Sequence, residues 1–337
     1  MLRRHVYTVA SDFAALPERE QHVLRLVATL MTRGANDVGS HLSAAAVHGW
    51  GLPYDGPGPV TITSGQLSRS ARRREQLVVQ VATLPPSDRV GKHVRAAGQL
   101  WPLAVTSMPR TLADCLRHLP LEDSVAIGDG VLRSGDVRWD GVRSVLDRQE
   151  PWPYLARGRE ASALLDPRRE SYLESFSFVR LWQQGLAMPE PQVTIRDGAG
   201  SFVARVDGWI GEHAVALEAD GAGKYLLAGA DAADDSDPLD VARRVRRAMV
   251  AEMRREQRLT ELGITVVRWG TADVLHRPEQ LVARIRSACR GRSRQFTGTA
   301  TLQVRPPWVD PAVSPRARHR GWDLSAAQAA SEPRRPA

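Results

Sequence analysis

Cysteine is nearly missing from this sequence of 337 residues, which contains only Cys115 and Cys289. Two cysteines so far apart offer neither the framework of a disulfide-stabilised secreted domain nor the close spacing of a cysteine-ligated metal site. We therefore expect both to be buried thiols.

Long apolar runs are missing as well. No segment reaches the length of a membrane-spanning helix, and the first residues, MLRRHVYTVASDF, lack the apolar core of a signal peptide. The hydrophobic fraction of 42% and the charged fraction of 25% are typical of globular proteins. We expect a cytoplasmic protein without membrane contact, and its length favours two domains.

Acidic residues are scarce near the C-terminus, where most of the net charge of +8 lies. From Arg290 onward, nine arginines stand against three acidic residues. Such a tail has salt-sensitive affinity for phosphate without sequence preference, although many basic tails are only solvated. Because it is rich in Pro, Ala, Ser and Arg after about Phe296, we predict a disordered basic tail over 291–337.

Clustered carboxylates are present on a predicted β-hairpin. The alternating segments Phe202–Asp207 and His213–Ala219 predict its two strands, with a turn between them. Since side chains two residues apart share a strand face, Glu218 and Asp220 lie together on the second strand, and Asp207 ends the first. The hairpin therefore ends in clustered acid.

Such a cluster is costly to bury unless a cation neutralises it. It is either a metal site, for which oxygen ligands favour Mg²⁺ or Mn²⁺, or a salt-bridged edge with a solvated turn. The scarcity of lysine favours the metal site, because only Lys92 and Lys224 among 46 basic residues are lysine. Lys224 follows Asp220 by four residues, where a compact ammonium could act beside a metal-bound water.

In the N-terminal part, the stretches TSMPRTLAD (106–114) and SHLSAAAVHGWGL (40–52) carry a resemblance. The region 1–150 resembles the N-terminal region of actinobacterial proteins related to the abortive-infection antitoxin AbiEi. The resemblance implies a DNA-binding winged helix, of which only the wing strand RRHVYTV is expected here, and a toxin partner of unknown identity. We interpret four residues of the first stretch as structural rather than catalytic: Ser107, Arg110, Thr111 and Asp114.

A segment with prolines and arginines, 151–167, is predicted to be a linker. After it the order of elements is helix, three strands, a long helix over about Leu239–Leu262, and a strand, Ile264–Trp269. In that order the first three strands form a meander, and the last can run parallel to the third. The fold class is thus α+β or α/β, with a mixed, largely helical N-terminal domain.

The second domain, 168–290, has a further resemblance, carried by ESYLESF, EPQVTIRDGAGSFVARVD, VALEADGAGKY and AEMRREQRLTELGITVVRW. It resembles the restriction-endonuclease-like PD-(D/E)xK core. More narrowly it is similar to a domain of unknown function related to the very-short-patch-repair endonuclease. The resemblance implies that Asp207 and Glu218 bind the metal and that Glu174 assists from the helix.

One position departs from the general motif. The motif has lysine two residues after the acid, and Asp220 stands there. Lys224 and Arg205 are the candidate substitutes. The catalytic candidates are therefore Asp207, Glu218, Lys224, Glu174 and Asp220.

The predicted activity is Mg²⁺- or Mn²⁺-assisted hydrolysis of DNA in defence or repair. On the long helix, Arg254, Arg255 and Arg258 can contact the nucleic-acid backbone or pair with glutamates one turn away. The alternative function is a non-catalytic DNA-binding or antitoxin-like regulator that keeps a nuclease fold.

Overall fold

The computed structural model of the protein describes residues 2–3, 5–65, 72–149, 152–220, 238–291 and 295–308. The chain divides into two compact units, Met1–Pro167 and Arg168–Ala337. In their described parts both units combine helices with a mixed β-sheet, which confirms the expected mixture of α and β structure. None of the helices in these ranges has both the length and the apolar character that crossing a bilayer requires.

The N-terminal unit is built on a six-stranded sheet. Its helices are α1 (Ala10–Ala14), α2 (Glu18–Met31), α3 (His41–His48), α4 (Met108–His118), α5 (Leu121–Ser134), α6 (Trp139–Arg148) and α7 (Leu155–Leu164). Its strands are β1 (Asp37–Gly39), β2 (Val60–Ser64), β3 (Arg72–Arg74), β4 (Leu77–Val81), β5 (Arg89–Ala96) and β6 (Gln99–Thr106). The sheet order is β3-β4-β2-β1-β6-β5. The expected mixed unit is confirmed, with more residues in helices than in strands, but the hairpin of β5 and β6 was not predicted.

Helix α2 packs on this sheet through its apolar stripe. Val23 and Leu26 belong to a buried cluster with Ile62 of β2 and Val105 of β6. At Gly39 of β1, an added Cβ atom would lie 2.9 Å from a methyl group of Leu26. Glycine at this position therefore allows the helix to approach the sheet closely.

The first residues form a tight turn instead of a wing strand. His5 has a φ of 65°, and Arg3 and Val6 form an isolated bridge around it. Because the chain reverses at His5, the described residues before α1 have no extended segment long enough to pair as a strand.

The segment 151–167 contains α7, which corrects its interpretation as a linker. Helix α7 packs against α4 within the N-terminal unit. An added Cβ at Gly158 would lie 2.8 Å from Cγ of Arg117, so the two helices need a glycine at this contact. Composition misleads here because Pro153 and Pro167 only flank the helix, and Arg157 and Arg159 lie on its exposed side.

The C-terminal unit contains a five-stranded sheet. Its helices are α8 (Tyr172–Gln183), α9 (Pro238–Glu261), α10 (Thr271–His276) and α11 (Pro278–Arg290). Its strands are β7 (Glu190–Arg196), β8 (Phe202–Ile210), β9 (Val215–Ala219), β10 (Thr265–Trp269) and β11 (Thr299–Thr301). In the order β10-β9-β8-β7-β11, the strands β7, β8 and β9 form an antiparallel meander, and β10 runs parallel to β9. The predicted meander and the parallel last strand are confirmed.

Helix α8 approaches the sheet where β8 carries Gly208. An added Cβ there would lie 2.7 Å from the Phe178 ring and 3.2 Å from Cβ of Leu217. The Phe178 ring also contacts Trp269 of β10, with ring centroids 6.2 Å apart. This contact packs the middle of α8 against β8 and β10.

Part of the predicted disordered tail is ordered. Strand β11 pairs antiparallel with β7, and the Gln303 carbonyl accepts a hydrogen bond of 3.1 Å from Arg168. These contacts correct the tail prediction for 299–303, while residues 309–337 lie outside the described part of the chain. Both cysteines are buried and free, as expected.

Candidate functional site

Glu174 is held at the start of α8. The N-cap residue Ser171 accepts a hydrogen bond from the backbone N–H of Glu174, at 3.1 Å. The Glu174 side chain is buried, and its Oε2 atom accepts hydrogen bonds from the Glu170 N–H at 2.9 Å and from the Gln192 amide at 2.8 Å. The carboxylate is therefore fixed in position by two donors.

Gln192 links Glu174 to Asp207. The Gln192 Nε2 atom lies 3.5 Å from Asp207 Oδ1, and the other Asp207 oxygen accepts the Ala219 N–H at 2.9 Å. Asp207 lies within β8, which continues to Ile210 instead of ending at Asp207 as predicted, and it directs one oxygen toward each neighbouring strand. The carboxylates of two elements, α8 and β8, are joined by one amide group.

Gln192 has a backbone conformation that side chains rarely adopt. Its φ is 53°, inside β7, and its side chain is buried. The paired residues on either side are Pro191 with Gly208 and Val193 with Val206, so Gln192 stands opposite Asp207. A left-handed residue within a strand costs of order 1–3 kcal/mol and is found mostly where a side chain has to be aimed. The sequence analysis missed Gln192, and its only signal was a proline directly before it.

Glu218 on β9 faces the same end of the sheet. The pairing of Gly208 with Leu217, continued by one residue, sets Glu218 opposite Asp207. Burial raises the pKa of Glu218, and the nearby Asp207 charge adds to the rise, while Arg255 opposes it. The structure therefore links Glu174 to Asp207 through Gln192 and sets Glu218 opposite Asp207 on the next strand.

A guanidinium contacts both oxygens of Glu218. Arg255 of α9 donates to Glu218 Oε1 at 3.1 Å and to Oε2 at 2.7 Å, and it also pairs with Glu252 at 2.7 Å. Burial lowers the pKa of Arg255, but the hydrogen bonds to these two glutamates outweigh it and raise the pKa. Arg255 is thus paired internally, which was the alternative to a role at the nucleic-acid backbone.

The pairing continues to β10. Arg268 contacts Glu252 closely, and it lies 3.5 Å from Glu256 and 3.8 Å from Asp220. Asp220 therefore faces a guanidinium in the position where the general motif has lysine. Lys224 lies outside the described residues.

The other predicted basic residues have separate environments. Arg205 pairs with Glu170 at 2.6 Å, and both side chains are exposed. Arg258 lies 3.7 Å from Asp197. Arg254 is exposed. Of the three arginines predicted to touch nucleic acid, Arg254 and Arg258 present their side chains to solvent.

The exposed part of α9 is basic and partly apolar. Its exposed arginines are Arg243, Arg244, Arg246, Arg247, Arg254 and Arg258. Among these arginines lie Met249, which is 50% exposed, and Met253, which is 71% exposed. A helix with this surface, directly beside the carboxylates, is typical of an interface with an anionic partner.

The donor chemistry of the site fits Mg²⁺ or Mn²⁺, because Asp207, Glu218 and Glu174 offer hard carboxylate oxygens. Within the described ranges, no three side chains of Asp, Glu, His or Cys are close enough to hold an ion as they stand. The Gln192 amide and the Arg255 guanidinium lie among the carboxylates instead.

Comparisons with protein-family models, with curated proteins and with solved structures found no significant match to this chain.

Proposed function

We propose that the C-terminal unit is a metal-dependent nuclease that hydrolyses phosphodiester bonds in DNA. The observation that carries the proposal is the placement of Glu174 and Asp207 on either side of the strained Gln192, with Glu218 opposite Asp207 on the next strand. Placing carboxylates close together, two of them buried, costs free energy unless cations neutralise them.

The strand and helix order supports a specific fold for this unit, the PD-(D/E)xK core. A helix, a three-stranded meander, a long helix and a parallel strand follow one another in the order that the resemblance to the PD-(D/E)xK core implies. We infer that this unit has that core, related to the very-short-patch-repair endonuclease. A role in defence or repair, and a toxin partner for the AbiEi-like N-terminal unit, belong to the same proposal.

In the mechanism, Asp207 and Glu218 would hold the metal ion and Glu174 would assist. When bound, Mg²⁺ or Mn²⁺ polarises a phosphoryl oxygen and lowers the pKa of a water for in-line attack. Gln192 fixes the spacing of Glu174 and Asp207 through its amide. Lys224 is our candidate for the cation that orients the water, since Asp220 takes the usual lysine position.

The exposed arginines of α9 would bind the DNA backbone. Each phosphate contact of this kind adds salt-sensitive affinity without sequence preference. Arg254 and Arg258 are the nearest to Arg255 in sequence and present their side chains to solvent. Arg255 itself favours the charged form of Glu218, because it donates hydrogen bonds to both carboxylate oxygens.

A non-catalytic DNA-binding regulator is the second candidate, and one observation favours it. Arg255 already neutralises Glu218, and Arg268 lies beside Asp220. A protein that keeps the fold only as a scaffold would be stabilised by such internal pairs.

The deciding experiment is nicking of supercoiled plasmid and of mismatched duplex by the full chain with Mg²⁺ or Mn²⁺. We expect metal-dependent cleavage that Asp207→Asn and Glu218→Gln abolish and that Glu212→Gln, at the exposed far turn of the hairpin, leaves intact. DNA binding without cleavage on either substrate would favour the regulator. To test DNA binding, we compare Arg254→Gln on α9 with Arg290→Gln, which removes the same charge from α11.

A further inference from the structure

A second candidate site lies wholly within the N-terminal unit. It is a pocket of about 670 Å³ among α3, α4, β3, β4 and the start of α7. This volume is within the range of small-molecule sites. The side chains that matter to its chemistry are Arg73, Arg110, Asp114, Arg117 and Arg157, together with His41, His118, Trp152 and Tyr154.

The lining residues Arg110, Asp114 and Arg117 belong to an ion-pair network that has more arginines than acids. Asp114 is fully buried and pairs with Arg110 at 2.8 Å and Arg117 at 3.1 Å. Asp88 pairs with Arg110 at 3.0 Å and Arg148 at 2.9 Å. Three guanidinium groups thus share two carboxylates.

The ionisation of Asp114 reflects this balance. Desolvation raises the pKa of Asp114, but His41, Arg110 and Arg117 outweigh it and lower the pKa. Asp114 is therefore a charged carboxylate, and each of its oxygens already pairs with an arginine. Arg73 and Arg157 also line the pocket, so the positive excess grows toward its mouth. A pocket with this balance attracts an anion.

One ring nitrogen of His41 has no hydrogen-bond partner among the described residues. Its ring is 6% exposed and its Nδ1 atom lies 2.9 Å from the Ser40 hydroxyl. Within the part of the chain that the structure describes, the buried Nε2 atom has no hydrogen-bond partner. A buried polar atom without a partner is unfavourable, and the φ of 52° at His41 adds strain. When the Ser40 hydroxyl donates to Nδ1, Nε2 carries the proton and can donate to a ligand.

Planar side chains form the wall of the pocket. The His118 ring lies 4.7 Å from the His41 ring and 5.2 Å from the Tyr154 ring. Tyr154 is 56% exposed, and Trp152 covers the guanidinium groups of Arg110 and Arg117 at 4.9 and 5.2 Å. Exposed aromatic faces beside cationic groups can stack on a nucleobase.

We propose that this pocket binds a nucleoside phosphate, with the phosphate between Arg157 and His41 and the base against Tyr154. The ligand is either a free mononucleotide or the phosphorylated end of a polynucleotide strand, since both present the same chemistry. The proposal is independent of the nuclease proposal, because every residue it uses belongs to the N-terminal unit.

The test is titration calorimetry of the full chain with adenosine monophosphate, adenosine and inorganic phosphate as separate probes. We expect the mononucleotide to bind at least about tenfold more tightly than either fragment. A short single strand with a 5′-phosphate, compared with the same strand without it, distinguishes the polynucleotide source from the free nucleotide. Failure of the mononucleotide to bind more tightly than phosphate overturns the proposal.

Matched variants locate the binding. Arg157→Gln is expected to weaken mononucleotide binding about tenfold, whereas Arg159→Gln, an exposed arginine on the same helix, leaves it unchanged. Tyr154→Asn removes the ring but suits the φ of 63° at that position, and should remove the preference for mononucleotide over phosphate. Equal weakening by the two arginine variants would mean non-specific charge attraction and would overturn the assignment. Thermal unfolding confirms that each variant is folded.

Discussion

Arg255 contacts both carboxylate oxygens of Glu218, and the side chain of Glu218 is only 3% exposed. The chain thereby supplies a cation to the carboxylate that the proposed mechanism assigns to a metal ion. Two cations cannot both take the same pair of oxygens. Loss of Arg255 should therefore weaken the fold and strengthen metal binding at the same time.

The first prediction concerns Arg255→Met. We expect the free energy of unfolding to fall by about 2 kcal/mol at neutral pH, less than for a fully buried pair because Arg255 is 24% exposed. Added Mn²⁺ should restore more of this loss in the variant than in the wild type. Urea unfolding with and without the ion measures both effects. Arg254→Met is the exposed control, and an equal loss there would contradict the role of the pair.

The second prediction separates strain from function at Gln192. Gln192→Gly relieves the left-handed backbone but removes the amide, so we expect stability within about 1 kcal/mol of wild type together with a loss of cleavage. Gln192→Val places a β-branched side chain at a positive φ and should destabilise by about 2 kcal/mol or more. Chemical denaturation and the nicking assay are run on both. Full cleavage by the glycine variant would show that the amide has no part in the site.

The third prediction concerns the close contact under α8. Gly208→Ala places a methyl group 2.7 Å from the Phe178 ring, and we expect a destabilisation of about 1–3 kcal/mol. Gly198→Ala is the matched control, because its Cβ would lie at an ordinary 3.6 Å from the nearest atom. Combining Gly208→Ala with Phe178→Leu should recover part of the loss in thermal unfolding. No difference between the two single variants would mean that α8 adjusts freely.

The fourth prediction is a dependence on pH in the N-terminal unit. Burial lowers the pKa of His22 from 6.5 to about 4. A histidine with a depressed pKa contributes stability that is fully present above pH 6.5 and is lost as the pH falls toward 4, at about 1.4 kcal/mol per pH unit.

We compare wild type with His22→Gln, whose side chain does not titrate. The stability advantage of wild type over this variant should shrink by about 3 kcal/mol between pH 7 and pH 4. Unfolding free energies of both proteins across this range measure the change, and the other titrating groups cancel in the difference. A constant difference would contradict the buried, neutral state of His22.

Elements with a strong pattern could be predicted from the sequence. The long helix expected over about Leu239–Leu262 is Pro238–Glu261, and the predicted meander and parallel strand are present. A long amphipathic period and a short turn are local properties, so they can be read without knowledge of the rest of the fold.

Features that depend on distant neighbours could not be predicted. The positive φ of Gln192 follows from its place between α8 and β8, and the pairing of Arg255 with Glu218 joins residues 37 positions apart. From the sequence, Arg255 could either contact the nucleic-acid backbone or pair with a glutamate one turn away. The three carboxylates were recognised as acidic side chains on predicted strands and on a helix of a known motif, whereas an amide inside a strand carries no such signal.

Strand β11 has a consequence for the behaviour of the protein in concentrated solution. Thr299, Ala300 and Thr301 pair with one side of β7, whose opposite side is taken by β8. Open strand edges invite pairing with other molecules and lead to aggregation. Strand β11 is itself the short edge strand of the sheet. A chain cut before Thr299 would expose the seven-residue edge of β7 to a second copy, and we expect it to self-associate more readily.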